Sequence, residues 1–182
     1  MRVAACQVPD IRNDVTAALL VIHEQSMCAQ RRGADAVVFP ECFLQGYFTD
    51  VPTVSSVAIE KDSPQFKEVL RFLRNLDVTV VVGFIERAGR HFYNAAVAIR
   101  RGEIVCHYRK TSLLEGEKVA FTPGAEYPTF EVAGERAGIN ICYDLNFDRA
   151  MHPLIEQGAR VLLCPCNNMM PFEKAESYKQ VH

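Results

Sequence analysis

A chain of 182 residues, 49% hydrophobic and 23% charged, is long enough to bury one substantial core and short for two, and its composition excludes a disordered or fibrous polymer. A formal net charge of -2 with scattered basic residues leaves nucleic acid without an electrostatic footprint. The pairs Arg31-Arg32 and Arg100-Arg101 stand beside Gly33 and Gly102 and read as solvated loop ends.

"RVAACQV" has the length and β-branched content of a strand, and Asp14 through Arg32 then carries apolar residues at helical spacing up to Gly33. "ADAVVFPE" is a short buried strand stopped by Pro40, with Glu41 just beyond it. Ser63-Pro64 opens a helix to about Asn75, with serine as N-cap, and "DVTVVVGFIE" follows as an apolar strand. "HFYNAAVAIRRGEIVCHYRK" reads as a hairpin turning at Arg101-Gly102, and "PTFEVAGERAGINICYD" as a second turning at Ala133-Gly134. "FDRAMHPLIEQGA" is a helix and "RVLLCPC" another strand. The pattern predicts one α/β domain over 1–182, with mixed sheets covered by helices on one face and packed on another sheet by the other.

"MRVAACQVPDIRND" meets a proline and charges too early for a signal peptide. No apolar stretch approaches the roughly 18 to 20 residues that span a bilayer, so a cytoplasmic protein without a membrane partner is expected. The seven cysteines are odd in number and unevenly spaced, as for reduced thiols.

Glu41, Lys110 and Cys142 each stand just beyond a strand end, where open α/β folds collect ligands and chemistry. A thiol attacks as thiolate, and with a free pKa of about 8.5 it needs a base or a cation beside it at neutral pH. Taken singly, the three read as a loop cap, a solvated strand end and a packed small hydrophobe. A Cys-His pair would have to use His107, inside an alternating strand, or His152, ahead of Pro153 in a helix, and neither carries a signature. "CPC" at Cys164 to Cys166 lacks a second ligand pair at zinc spacing, so no metal site is expected and strand-end packing near the pocket is the reading. Asp144 is read as an N-cap for the helix that begins near Phe147, or as a partner for Arg149.

The stretches "FPE", "YRK", "FTPG" and "ICYD", in this order, resemble the nitrilase superfamily of carbon-nitrogen hydrolases over nearly the whole chain. The resemblance implies a four-layer α-β-β-α sandwich and a Glu-Lys-Cys triad falling on Glu41, Lys110 and Cys142, with the family's additional glutamate on Glu117. It further implies a cofactor-free hydrolase that passes through a cysteine thioester, with Lys110 and the Tyr143 backbone N–H facing the oxyanion. Its pocket walls fall on Tyr47, Phe48, Asn167, Asn168 and Met169. The implied partners are a small-molecule amide, N-carbamoyl or nitrile substrate and a second copy of the chain in a homodimer or larger homo-oligomer. Amide or N-carbamoyl hydrolysis is the leading reading, with a true nitrilase and a non-catalytic binding or assembly module as alternatives. Two departures stand out: the chain stops at "ESYKQVH", where the resemblance expects further C-terminal strands, and "CYDLNFDR" carries Asp148 and Arg149 where relatives have proline and glutamate.

Overall fold

A computed structural model describes residues 1–167. Strands β1 (Val3–Ala5), β2 (Ala36–Val38), β3 (Thr79–Ala88), β4 (His91–Arg100) and β5 (Glu103–Arg109) form one sheet in chain order. β1, β2 and β3 pair in parallel and therefore need crossovers, supplied by α1 (Val15–Arg31) and then by α2 (Val51–Val57) and α3 (Pro64–Leu73). β3, β4 and β5 continue antiparallel through tight hairpins. A second sheet joins β6 (Thr129–Val132) antiparallel to β7 (Glu135–Ile139), and β7 parallel to β8 (Val161–Leu163) across α4 (Asp148–Glu156).

Strand alternation explains the layering. Val80, Val82 and Phe84 of β3 and Ala95, Val97 and Ile99 of β4 pack in one buried cluster with Phe66, Val69 and Leu73 of α3 and Ala18 and Ile22 of α1. The intervening Val81, Ala96 and Ala98 face the other way and pack on Phe130, Val132, Ala137 and Ile139 of the second sheet. Small alanines there let the two sheets close on each other. α4 covers the far side of the second sheet, its Leu154 seated so close to Gly138 that a Cβ would come within 2.9 Å. The order is therefore helices, sheet, sheet, helix: the expected four-layer α-β-β-α sandwich.

Local chemistry sets the ends. Asp14 accepts from the Ala17 N–H at the start of α1, and Ser63 accepts from Phe66 N–H ahead of Pro64 in α3. The β4–β5 and β6–β7 hairpins turn on a non-glycine residue followed by glycine at positive φ, Arg101 at 51° with Gly102 at 77° and Ala133 at 51° with Gly134 at 77°. Among the described α-helices and strands, the one absent from the sequence reading is α2, which follows the loop after Glu41. Its β-branched sequence has little helical preference, and the Asp50 side chain capping Thr53 N–H, with proline in the first turn, holds it. No described helix is long and apolar enough to cross a membrane.

Candidate active site

The ends of β2, β4, β5 and β7 converge on a buried polar cluster. Pro40 ends β2, and the chain turns sharply at Cys42, whose φ is 52°. This turn lies on β3 at Gly83, where a Cβ would fall 2.4 Å from the Cys42 nitrogen and 2.7 Å from the Pro40 oxygen. Only glycine lets the Glu41 turn sit so low on the sheet. Gly83→Ala is therefore expected to lose about 1–3 kcal/mol of stability, with activity falling on the order of a hundredfold as Glu41 is displaced. Urea unfolding and turnover check it, and an unchanged midpoint would contradict the close approach.

Lys110 follows β5. Its N–H donates to the Asn94 carbonyl, and its own carbonyl accepts from Gly124 N–H at 2.8 Å, which places the "FTPG" segment against the end of the strand. The side chain is fully buried between two carboxylates: Nζ donates to Glu41 Oε1 at 2.6 Å and to Glu117 Oε1 at 2.8 Å. Asn94 on β4 completes the cluster, its amide donating to the same two oxygens at 2.7 and 2.8 Å while its oxygen accepts from Cys42 Sγ. Glu117 Oε2 also accepts from Leu114 N–H, and Glu41 Oε2 from Asn167 N–H at 3.2 Å.

Cys142 sits beyond β7 with φ at 43°, at the head of a 3-10 turn over Cys142–Asn146. Its N–H donates to Pro165 carbonyl at 3.0 Å, tying the bend to the segment after β8. The N–H of Tyr143 stands in the first turn of that 3-10 segment, where amides have no intrahelical acceptor. Behind the bend, Asp144 accepts from Ile141 N–H, Ser112 N–H, Thr111 N–H and hydroxyl, and the Tyr108 hydroxyl. This corrects the expected role of Asp144. It caps neither α4 nor Arg149; it locks the residues after Lys110 to the Cys142 bend, while Arg149 lies 4.1 Å over the Phe147 ring.

With Glu41, Glu117 and Lys110 all ionised the cluster carries one net negative charge, and a Cys142 thiolate would double it. Hydrogen bonding to Cys166, then burial, then the Glu41 charge hold the Cys142 thiol well above the ordinary thiol range. Burial also raises Glu41, partly opposed by Lys110, which makes it a better proton acceptor than an exposed carboxylate. Burial favours neutral Lys110, but the charges of Glu41 and Glu117 outweigh it and keep the ammonium protonated. The resting arrangement is thus a thiol, a basic carboxylate and a fixed cation.

The carbon-nitrogen hydrolase model matches residues 2–182. The chain belongs to the carbon-nitrogen hydrolase family. A Pseudomonas protegens protein described as a hydrolase in the pqqF 5' region is 32% identical over 177 residues, 95% of this chain and 61% of that protein. An (R)-stereoselective amidase of a Pseudomonas species is 35% identical over 138 residues, 76% of this chain and 50% of the relative. The chain thus spans about half to three-fifths of the length of these relatives. The crystal structure of an amidase from a Nesterenkonia species shares the fold, with a TM-score of 0.85 at 23% identity, covering 96% of this chain and 68% of that one.

In this carbon-nitrogen hydrolase the structure brings Glu41, Lys110 and Glu117 into direct contact and sets Cys142 within the field of Glu41. Tyr47 lies beside them, its phenol pushed up by burial and by the Glu117 and Glu41 charges, and Phe48 packs with it around Cys42, Leu113 and Phe121. Asn167 reaches Glu41 through its backbone N–H rather than its amide side chain. Asn168 and Met169 lie outside the described residues. His107 is 2.8 Å from Glu86, which Arg109 also pairs, so it serves a separate ion cluster. Asn94 is the residue that the motif reading missed; its signal is a lone amide in the otherwise apolar middle of "NAAVAI".

Proposed function

We propose that this carbon-nitrogen hydrolase cleaves a small amide or N-carbamoyl compound through a thioester at Cys142. The observation that carries the reading is Lys110, fully buried and held between Glu41 and Glu117 beside the Cys142 bend. A buried lysine locked by two carboxylates is costly for a module that only binds. It suits a site that must stabilise a negative charge appearing during reaction.

Glu41 takes the Cys142 thiol proton as sulfur attacks the carbonyl carbon. The carbonyl oxygen becomes the oxyanion, facing the third N–H of Lys110, the one not spent on Glu41 or Glu117, and the N–H of Tyr143. Each such donor contributes about 3 kcal/mol to the barrier reduction. Glu41 returns the proton to the leaving nitrogen, ammonia or amine departs, and the thioester remains. Water, deprotonated by Glu41, then attacks the thioester, and Cys142 recovers its proton. Glu117 and Asn94 hold Lys110 and Glu41 in register as positioning residues. The proton that leaves on the nitrogen is replaced from the attacking water, and because Glu41 is neutral while the oxyanion exists, the net charge stays at its resting value.

Ammonia release from a panel of amides, N-carbamoyl amino acids and nitriles tests the proposal, with Cys142→Ala as the blank. Release should depend on Cys142, and the best substrate chooses among amidase, carbamoylase and nitrilase. Because burial raises Glu41 and the base must be ionised, kcat/KM should rise with pH through an inflection above the ordinary glutamate value of about 4.3. Release that survives Cys142→Ala would end the thioester reading, and an inflection at or below that value would remove Glu41 as the base.

A further inference from the structure

Three thiols meet at the candidate site, and the proposed hydrolysis uses one of them. Past β8 the chain runs Cys164-Pro165-Cys166-Asn167 alongside the Cys142 bend, continuing the parallel pairing of β7 and β8. Asn140 N–H donates to Leu163 carbonyl, and Cys142 N–H to Pro165 carbonyl at 3.0 Å. Pro165 is thus pinned opposite Cys142, with a cysteine on either side of it. Extending the β7–β8 register, in which Ile139 pairs with Leu163, sets Cys142 beside Cys166, whose Sγ lies 3.5 Å from Cys164 Sγ. Cys166 is exposed as a residue although its sulfur rests against that of Cys164, whereas Cys42 and Cys106 are buried. Next to Cys166, Asn167 N–H holds Glu41, the group that accepts the Cys142 proton.

We propose that Cys166 is the resolving thiol of a peroxide-formed disulfide with Cys142, a modification site that closes the candidate active site. Cys142 sulfur, giving its proton to Glu41, attacks one oxygen of a hydroperoxide. The O–O bond breaks, the sulfur becomes a sulfenic acid, and the departing oxygen takes the proton from Glu41 to leave as water or an alcohol. Cys166 sulfur then attacks the sulfenic sulfur. The S–O bond breaks, the S–S bond forms, and hydroxide leaves with the Cys166 proton as a second water. Two thiols thereby supply the two electrons that the peroxide accepts. Because the Cys142 N–H is already tied to the Pro165 carbonyl, the second step needs no rearrangement of the strand ends to bring the two residues together. It also competes with further oxidation of Cys142 to sulfinic acid, which thiol reductants do not reverse. The Cys166 partner and burial hold the Cys142 thiol up, while Cys166 is pushed up to about 12, the Cys142 partner opposing the rise and the Cys164 partner and burial outweighing it.

That the disulfide stops hydrolysis rests on the nucleophile role proposed above; that it forms does not. The test treats the reduced protein with hydrogen peroxide, alkylates remaining thiols and maps peptides without reduction, for the parent, Cys166→Ser and Cys164→Ser. A peptide linked through Cys142 and Cys166 is expected in the parent and in Cys164→Ser, and sulfinic acid at Cys142 in Cys166→Ser. Ammonia release, each variant referred to its own untreated rate, should fall on the order of tenfold in all three. It should return with dithiothreitol in the parent and Cys164→Ser but not in Cys166→Ser. A link between Cys164 and Cys166 with Cys142 unmodified, or no link at all, overturns the inference. A Cys142–Cys166 link with undiminished hydrolysis upholds the disulfide and overturns Cys142 as nucleophile.

Discussion

Lys110→Ala should be inactive and barely folded at neutral pH. The substitution removes the only ammonium that touches either Glu41 or Glu117 among the described residues and leaves two buried carboxylates sharing one side-chain donor, Asn94, beside one backbone N–H each from Asn167 and Leu114. Breaking a buried pair by deleting one partner costs about 3–5 kcal/mol, because the surviving charge keeps its desolvation penalty. Removing the oxyanion donor also costs about 10³ in rate. The stability loss should depend on pH. Burial already raises Glu41, and without the ammonium to oppose it the folded-state value moves further above the unfolded value of about 4.3. A folded state that binds a proton more tightly than the unfolded state is favoured by acid. The variant should therefore be most stable below that unfolded value and lose stability as pH rises through the window up to the raised folded value. Urea unfolding at acidic and neutral pH measures this directly. A triple variant, Lys110→Met with Glu41→Gln and Glu117→Gln, should regain most of the stability while remaining inactive. If Lys110→Ala matched the parent at neutral pH, or lost the same stability at every pH, the charge-locking account of the cluster would be wrong.

What the sequence made legible follows the range of the interactions involved. The turns at Arg101-Gly102 and Ala133-Gly134 depend on two residues and their strands, and both were readable. So was the cap at Ser63, whose partner lies within the same helical turn. α2 was not, because seven residues of mixed preference become a helix through a cap and packing on β3 rather than through periodicity. Polar residues were the hardest. Asn94 joins Glu41, 53 positions away, to Glu117, 23 positions away, and nothing local in its strand announces either. Glu117 itself was found by resemblance to a family and not by spacing. An aspartate just ahead of a helix reads as a cap by default, and Asp144 was read so; its partners Tyr108, Thr111 and Ser112 are remote in sequence and took the carboxylate first.

That misreading has a measurable consequence. Asp144→Ala should destabilise the protein by about 3–5 kcal/mol, since the backbone N–H groups of Ile141, Thr111 and Ser112 lose their acceptor and buried donors left unpaired cost about 1–3 kcal/mol each, offset in part by entering water. The same bonds join the two halves of the candidate site. Oδ1 holds the residues that follow Lys110, and Oδ2 holds the amide before Cys142 and the Tyr108 hydroxyl of β5. Loosening them lets the Cys142 bend, strained at a φ of 43°, relax away from Lys110. A misplacement of about 1 Å at the reacting atoms costs on the order of a hundredfold in rate. Asp144→Asn keeps one acceptor oxygen but turns an amide toward donors, so it should fall between the parent and Asp144→Ala in both stability and kcat. In neither variant should the acid limb of kcat/KM move, because Asp144 takes no proton in the reaction. A loss of rate with unchanged urea midpoint and a displaced acid limb would instead make Asp144 a proton acceptor, and the tie between the two halves would not be its role.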